Sequence, residues 1–230
     1  MTTWYEELDF EENPFTIKPR ESLEEFIGNK PIVKKIKQAI EDEKCMVLRG
    51  KYGTGKTSVV KSIINEHKGE GKVFYYNAYA SDKELDYEDV IKRAGNALAR
   101  FFRTKTKNII MIIDEAHHMS KENLEAVEDY IASEHFRSVV FVTSDLNYEF
   151  PKAIKKLVSF DDTIQMFSEF DAIKIVKNRL EDEYQLLPND IIKELYRNSD
   201  TPRDFLRRCE DACRNAVRRG NSIVNKKDLQ

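Results

Sequence analysis

Residues 49–58 read Arg-Gly-Lys-Tyr-Gly-Thr-Gly-Lys-Thr-Ser and match the pattern G-x-x-x-x-G-K-[ST], with Gly50 and Gly55 as its fixed glycines. The glycines let the backbone curl so that successive N–H groups point at phosphate oxygens. Lys56 then reaches the β- and γ-phosphates, and the Thr57 hydroxyl holds Mg²⁺. The expected nucleotide-binding residues of this loop are Gly50, Lys51, Tyr52, Gly53, Thr54, Gly55, Lys56, Thr57 and Ser58.

The segments on either side of this loop fit a phosphate-binding site. Residues 45–48 form an apolar run suited to a buried strand, and residues 58–64 carry apolar side chains at helical spacing. A strand, a glycine-rich loop and a helix in this order add the N-terminal partial charge of the helix to the same anion site. The stretch therefore predicts a nucleotide-binding protein.

The composition describes a globular protein with a strongly charged surface. The chain has 230 residues, 40% hydrophobic and 34% charged, which allows one large domain or a large and a small one. The formal net charge is −3, so contact with nucleic acid requires a local basic patch. Cys45, Cys209 and Cys213 fit reduced structural thiols better than a shared metal. We find no signal peptide and no membrane-length apolar run, and therefore expect a soluble cytoplasmic protein without a membrane segment.

A second chemical signal follows the apolar run at residues 109–113. Asp114 and Glu115 end this predicted strand, and parallel strands deliver their last residues to the ligand edge of the sheet. We expect Asp114 to join Thr57 at the Mg²⁺ site and Glu115 to orient the attacking water. The string Asp-Glu-Ala-His at 114–117 also occurs in a helicase class, but nothing else in the sequence indicates a second motor domain.

The order of predicted elements indicates an α/β fold with a P-loop parallel sheet sandwiched by helices. Five strands are predicted, at residues 45–48, 72–77, 109–113, 138–144 and 163–166. The predicted helices include residues 85–103 between the second and third strands and three in succession at 171–184, 189–197 and 201–219. We expect three parts: an irregular N-terminal segment over 1–29 packing near the nucleotide site, a P-loop core over 30–167, and a small all-helical lid over 168–230.

Taken together, these residues resemble an AAA+ ATPase, a P-loop core followed by a helical lid, over nearly the whole chain. The resemblance implies ATP and Mg²⁺ as ligands. Residues 26–29 resemble the box that lines the adenine pocket in the family, which adds Ile27 to the nucleotide site. Thr143 and Ser144 stand where the family has its strand-four sensor; Ser144 joins the catalytic set, with Thr143 as the alternative. Residues 200–203 resemble the second sensor of the lid and put Arg203 near the γ-phosphate. The implied catalytic residues are Lys56, Asp114, Glu115, Ser144 and Arg203.

Two subgroups of the family fit best. Residues 9–15, 201–206 and 222–229 resemble the ExeA-type and TniB/TnsC-type ATPases. The general layout is also similar to the ATPase part of archaeal and eukaryotic origin initiators. Members of both groups usually act on or beside DNA, although we expect no winged-helix DNA-binding domain after Gln230.

Basic residues bear on assembly and on DNA contact. The family's arginine finger acts across subunits, and its usual place holds Lys155 and Lys156, with Arg137 as a third candidate. The last predicted helix is locally basic, through Arg203, Arg207, Arg208, Arg214, Arg218 and Arg219. Its arginines either contact phosphates or pair with Asp and Glu residues of the same helix.

The leading hypothesis is a slow ATPase whose nucleotide state controls self-assembly and action on DNA, as in replication initiation or transposition. Expected partners are further copies of the chain, DNA bound without sequence preference, and a protein partner that supplies DNA specificity. The alternative is a nucleotide-dependent switch with little turnover that binds a protein in secretion, conjugation or defence. A small-molecule kinase is a third hypothesis, disfavoured because the lid carries Arg203 rather than an acceptor pocket.

Overall fold

The computed structural model describes residues 3–17, 28–67, 72–94 and 108–229. Its strands are β1 (Cys45–Arg49), β2 (Lys72–Asn77), β3 (Ile109–Asp114), β4 (Phe136–Thr143) and β5 (Val158–Thr163). They form one sheet in the order β2-β3-β4-β1-β5, and every neighbouring pair is parallel. The carboxyl ends of all five strands therefore meet at one edge of the sheet.

Helices surround this sheet and continue beyond it. They are α1 (Lys30–Glu41), α2 (Lys56–Glu66), α3 (Tyr87–Ala94), α4 (Lys121–Ala132), α5 (Lys152–Leu157), α6 (Glu169–Leu180), α7 (Asn189–Arg197) and α8 (Pro202–Arg218). Short 3-10 turns lie at Glu6–Leu8, Ala116–His118, Glu181–Leu186 and Lys226–Leu229. The elements confirm the predicted α/β fold. Across the described ranges, no helix combines the length and apolarity needed to cross a membrane.

Both faces of the sheet are covered, because successive strand residues point to opposite sides. On one face, Ile112 and Val140 pack with the apolar sides of α1 and α2. On the other face, Met111 and Val139 pack with α3, α4 and α5. Every residue of β3 is buried, including the terminal Asp114. A carboxylate that ends such a strand is delivered to the ligand edge from inside the core.

The helices after β5 have an apolar cluster of their own. Phe205, Cys209 and Cys213 line the buried side of α8, and Trp4 and Phe15 of the N-terminal segment pack into the same cluster. Burial raises the pKa of both thiols, which therefore stay protonated and act as small apolar side chains. The N-terminal segment is thus packed against the helices that follow the sheet.

Three predicted elements differ from those observed. The helix predicted over 171–184 ends at Leu180 and is followed by the 3-10 turn Glu181–Leu186. The fifth strand is Val158–Thr163 rather than residues 163–166. It lies at the sheet edge beside β1, where Asp161 and Asp162 are tolerated, so it lacks the apolar run that marks a central strand. The helix predicted over 85–103 is described from Tyr87 to Ala94, and residues 95–107 lie outside the described ranges.

Candidate nucleotide site

The loop between β1 and α2 is built around glycines that no other residue replaces easily. Gly53 has a φ of +86° and Gly55 a φ of +101°, in the region that favours glycine. A Cβ added at Gly50 would lie 2.6 Å from the Thr54 hydroxyl, and one added at Gly53 would lie 3.0 Å from the Arg203 Cβ. The loop is therefore closely packed, both against itself and against the first turn of α8.

Lys56 begins α2 and points back into this loop. Its Nζ donates to the carbonyl oxygens of Gly50, at 2.7 Å, and Lys51, at 3.4 Å, and it lies 3.9 Å from Glu115 Oε1. The side chain is only 6% exposed, and burial lowers the pKa of its ammonium, partly offset by Glu115 and Asp114. A buried ammonium with only carbonyl oxygens bonded to it is well placed for the anionic oxygens of a phosphate.

Asp114 supplies a buried carboxylate at the end of β3. Its Oδ1 accepts from the Glu115 N–H at 3.0 Å, and its Oδ2 accepts from the Tyr75 hydroxyl at 2.7 Å. Burial raises the pKa of this carboxyl, and the Tyr75 hydrogen bond opposes that shift. Thr57 lines the same cavity as Asp114. A carboxylate and a hydroxyl are hard oxygen donors of the kind that Mg²⁺ takes beside nucleotide phosphates, so these two residues fit the expected metal.

Glu115 is oriented by the end of β4. Its Oε2 accepts from the Ser144 hydroxyl at 2.5 Å and from the Ser144 N–H at 3.1 Å. Thr143 instead meets His117, with 2.9 Å between the hydroxyl oxygen and Nδ1. Burial and the neighbouring His118 lower the pKa of His117, which favours its neutral form. Of the two sensor candidates, Ser144 contacts Glu115 and Thr143 contacts a residue beside it.

Arg203 lies in the first turn of α8, directly over the loop. Its backbone N–H donates to the Gly53 carbonyl oxygen at 3.2 Å, and its guanidinium carbon lies 4.4 Å from the centroid of the Tyr52 ring. The Thr201 hydroxyl caps the helix by accepting from the Asp204 N–H at 3.2 Å. Arg203 and the loop therefore meet without any intervening residue.

One cavity of about 910 Å³ joins these groups. Its lining includes Thr16, Asn29, Lys56, Asp114, Phe167 and Arg203, contributed by the N-terminal segment, the sheet edge and the last helices. Of the predicted loop residues, Gly50 and Lys51 are not part of the lining, and their carbonyl oxygens accept hydrogen bonds from Lys56 Nζ. Ile27 lies outside the described residues, while Asn29, from the same predicted box, donates through Nδ2 to the Gln165 carbonyl oxygen at 2.9 Å.

The three finger candidates lie away from the cavity lining as far as the structure describes it. Lys155 forms an ion pair with Glu149, and Arg137 lies 3.9 Å from Glu43. Lys156 follows in the same short helix, α5. Among the described residues, no contact within the chain distinguishes one of the three as the finger.

Arg49 is a site-building residue that motif reasoning missed. It pairs with Asp161 of β5 through Nε at 2.7 Å and Nη2 at 2.8 Å. Its Nη1 donates to the Tyr148 carbonyl oxygen at 2.9 Å, and its guanidinium packs 5.5 Å from the Phe150 ring centroid. Arg49 therefore fastens the loop after Ser144 to the strand that carries the nucleotide loop. Only its position next to Gly50 hints at this role in the sequence.

Similarity to a known protein family covers the residues that form the candidate site. The family described as ATPase family associated with various cellular activities (AAA) matches residues 46–144, which contain the loop, Asp114 and Glu115. The phosphate import ATP-binding protein PstB 2 of Enterococcus faecalis is 25% identical over 130 residues, or 53% of this chain and 48% of that protein. The chain thus spans about half the length of this curated relative.

Solved structures share the fold. The RuvB Holliday junction branch migration motor of Thermotoga maritima has a TM-score of 0.72 and 17% identity, covering 93% of this chain and 71% of RuvB. The Orc1 protein of Aeropyrum pernix, solved in complex with DNA, has a TM-score of 0.67 and 17% identity, covering 94% and 67%. A Walker-type ATPase of Pyrococcus abyssi has a TM-score of 0.64 and 15% identity, covering 91% and 73%. At these identities the likeness shows the fold alone.

The family match over residues 46–144, the loop within it and the shared fold support the predicted resemblance to an AAA+ P-loop ATPase. ATP with Mg²⁺ is the ligand that this class binds at the loop. The fold shared with Orc1 is the layout that the resemblance to the ATPase part of origin initiators predicted.

Proposed function

We propose that this protein binds and slowly hydrolyses ATP, and that its nucleotide state controls self-assembly and action on DNA. The observation that carries the proposal is the direct contact between α8 and the nucleotide loop. Arg203 bonds to Gly53 and stacks on Tyr52, so a nucleotide entering the loop shares its space with Arg203. The position of the last helices relative to the loop then differs between the ATP-bound and ADP-bound protein, because a ligand favours the arrangement to which it binds more tightly.

Five side chains have separate roles in the proposed hydrolysis of ATP. Lys56 holds the β- and γ-phosphates, and Thr57 and Asp114 hold Mg²⁺, which when bound neutralises phosphate charge. Glu115 orients the attacking water and accepts its proton. Because Ser144 binds Glu115 Oε2, the other oxygen of that carboxylate faces Lys56 at 3.9 Å, on the phosphate side.

Support for action on DNA comes from two structural neighbours. RuvB is described as a Holliday junction motor, and Orc1 was solved in complex with DNA.

In this chain, three arginines of the basic stretch from Arg203 to Arg219 are paired: Arg208 with Asp204, Arg214 with Asp211, and Arg219 with the buried Asp228. Arg219 therefore anchors the C-terminal turn and is unsuited to a DNA-contact test.

Arg207 and Arg218 remain as DNA-contact candidates. Both are exposed, and within the described part of the chain neither forms an ion pair. Eleven residues apart on a helix of 3.6 residues per turn, they share one face and lie about 16 Å apart along the axis. Two charges per subunit bind duplex weakly, whereas several subunits on one duplex multiply the effect.

Fluorescence anisotropy on a random-sequence duplex tests this function. We expect binding with an ATP analogue, little with ADP, and a steep loss between low and moderate salt. The Arg207→Ala/Arg218→Ala double variant should weaken binding and flatten the salt dependence without altering nucleotide affinity. Arg208→Ala is the matched control, because that arginine is already paired with Asp204. Tight ATP binding without DNA binding in any condition would favour the switch that acts on a protein partner.

A further inference from the structure

The Tyr75 side chain lies beside the catalytic edge although it belongs to a neighbouring strand. In the pairing of β2 with β3, Asn77 stands opposite Asp114 and Tyr75 opposite Ile112. Phe74 and Tyr76 point to the sheet face covered by α3, α4 and α5. Tyr75 therefore points to the opposite face, the same one as Asp114 and the nucleotide loop.

Two donors fix the Asp114 carboxylate from two sides. The Tyr75 hydroxyl donates to Oδ2 at 2.7 Å, and the Glu115 N–H donates to Oδ1 at 3.0 Å. Asn77 Nδ2 donates in turn to the Tyr75 oxygen at 3.3 Å. Each carboxylate oxygen keeps a further lone pair, so the hydrogen bonds orient the group without consuming it.

We propose that Tyr75 is a positioning residue for magnesium: its hydroxyl holds the Asp114 carboxylate in the orientation that receives the metal. The inference rests on the proposed use of MgATP. A carboxylate held by one donor turns more freely than one held by two, and removing such a supporting hydrogen bond lowers metal affinity by about 10-fold or more.

The experiment measures binding of a fluorescent ATP analogue across a magnesium titration and in EDTA. For Tyr75→Phe we expect the affinity for the analogue in EDTA to be unchanged. The magnesium concentration that gives half of the metal-dependent gain in this affinity should rise about 10-fold. Tyr76→Phe is the matched control: it loses a hydroxyl from the same strand, one that donates at 2.8 Å to the Lys83 carbonyl oxygen, away from Asp114. This control should behave as wild type.

A double-variant comparison separates positioning from general loss of structure. In an Asp114→Ala background, Tyr75→Phe should add nothing, because its partner is gone. Three results would each overturn the inference. The first is a wild-type magnesium requirement in Tyr75→Phe, and the second is an equal loss of its affinity with and without magnesium. The third is a further loss of affinity when Tyr75→Phe is added to Asp114→Ala. If the wild type binds the analogue in neither condition, the proposed function fails instead, so the two failures are distinguishable.

Discussion

At the scale of single residues, Glu115 combines an uncommon backbone conformation with a defined set of partners. Its φ of +52° places a residue other than glycine in the left-handed region. Such conformations persist where surrounding contacts enforce them, and they cluster at functional sites. Here the two Ser144 hydrogen bonds and the His117 ring, 3.5 Å from Oε2, supply those contacts.

Glu115→Gln should separate ATP binding from hydrolysis. The glutamine amide keeps an oxygen for the Ser144 donors but is a poor base, so we expect hydrolysis slowed at least ~100-fold with ATP affinity retained. Phosphate release and calorimetric titration measure the two effects. Glu122→Gln, which alters an exposed carboxylate at the start of α4, is the control and should match wild type. Wild-type hydrolysis by Glu115→Gln would show that this carboxylate is not the base.

At the scale of elements, the central contact is the first turn of α8 packed over the nucleotide loop. The Thr201 hydroxyl and the Arg203 Cβ lie 3.1 Å and 3.0 Å from the position of a Cβ added at Gly53. Ile164 belongs to the apolar cluster of the sheet, and Phe167 to that of the last helices. The change from one apolar cluster to the other thus falls within a short connection, which we propose as the hinge between the predicted core and lid.

Arg203→Ala should weaken ATP binding or turnover, because a guanidinium supplies always-charged donors toward the γ-phosphate. Nucleotide titration measures the binding and phosphate release measures the turnover. Arg208→Ala is the control, because Arg208 lies on the same helix and pairs with Asp204. If Arg203 acts on the nucleotide of its own subunit, mixing Arg203→Ala with Lys56→Ala subunits should restore nothing. Recovered activity on mixing would place Arg203 across a subunit interface.

The elements also show why some features were predictable and others were not. The nucleotide loop and the Asp114–Glu115 pair are local patterns, so their place at strand ends follows from the sequence. The Tyr75–Asp114 bond joins residues 39 apart, and the Arg49–Asp161 pair joins residues 112 apart. Such contacts depend on which strands lie side by side, and apolar runs do not specify the strand order. The edge strand β5 was predicted at residues 163–166 instead of Val158–Thr163, because its own residues are partly exposed and form no apolar run.

At the scale of the whole molecule, the net charge disfavours DNA binding, whereas the fold is shared with proteins that are described with DNA. The net charge is −3, and three of the six arginines from Arg203 to Arg219 are paired within the chain. A single copy therefore offers few phosphate contacts. We propose that assembly in the ATP state resolves this conflict by bringing Arg207 and Arg218 of several copies onto one duplex.

The most direct test of nucleotide-controlled assembly is the mass of the protein in solution, measured by light scattering after size-exclusion chromatography. Glu115→Gln should form a multiple of the monomer mass with ATP and Mg²⁺, since it retains the nucleotide, and should return to the monomer with ADP. Lys56→Ala should stay monomeric with ATP, because it lacks the ammonium that holds the phosphates. A Glu115→Gln mass that is the same with ATP, with ADP and without nucleotide would contradict the account.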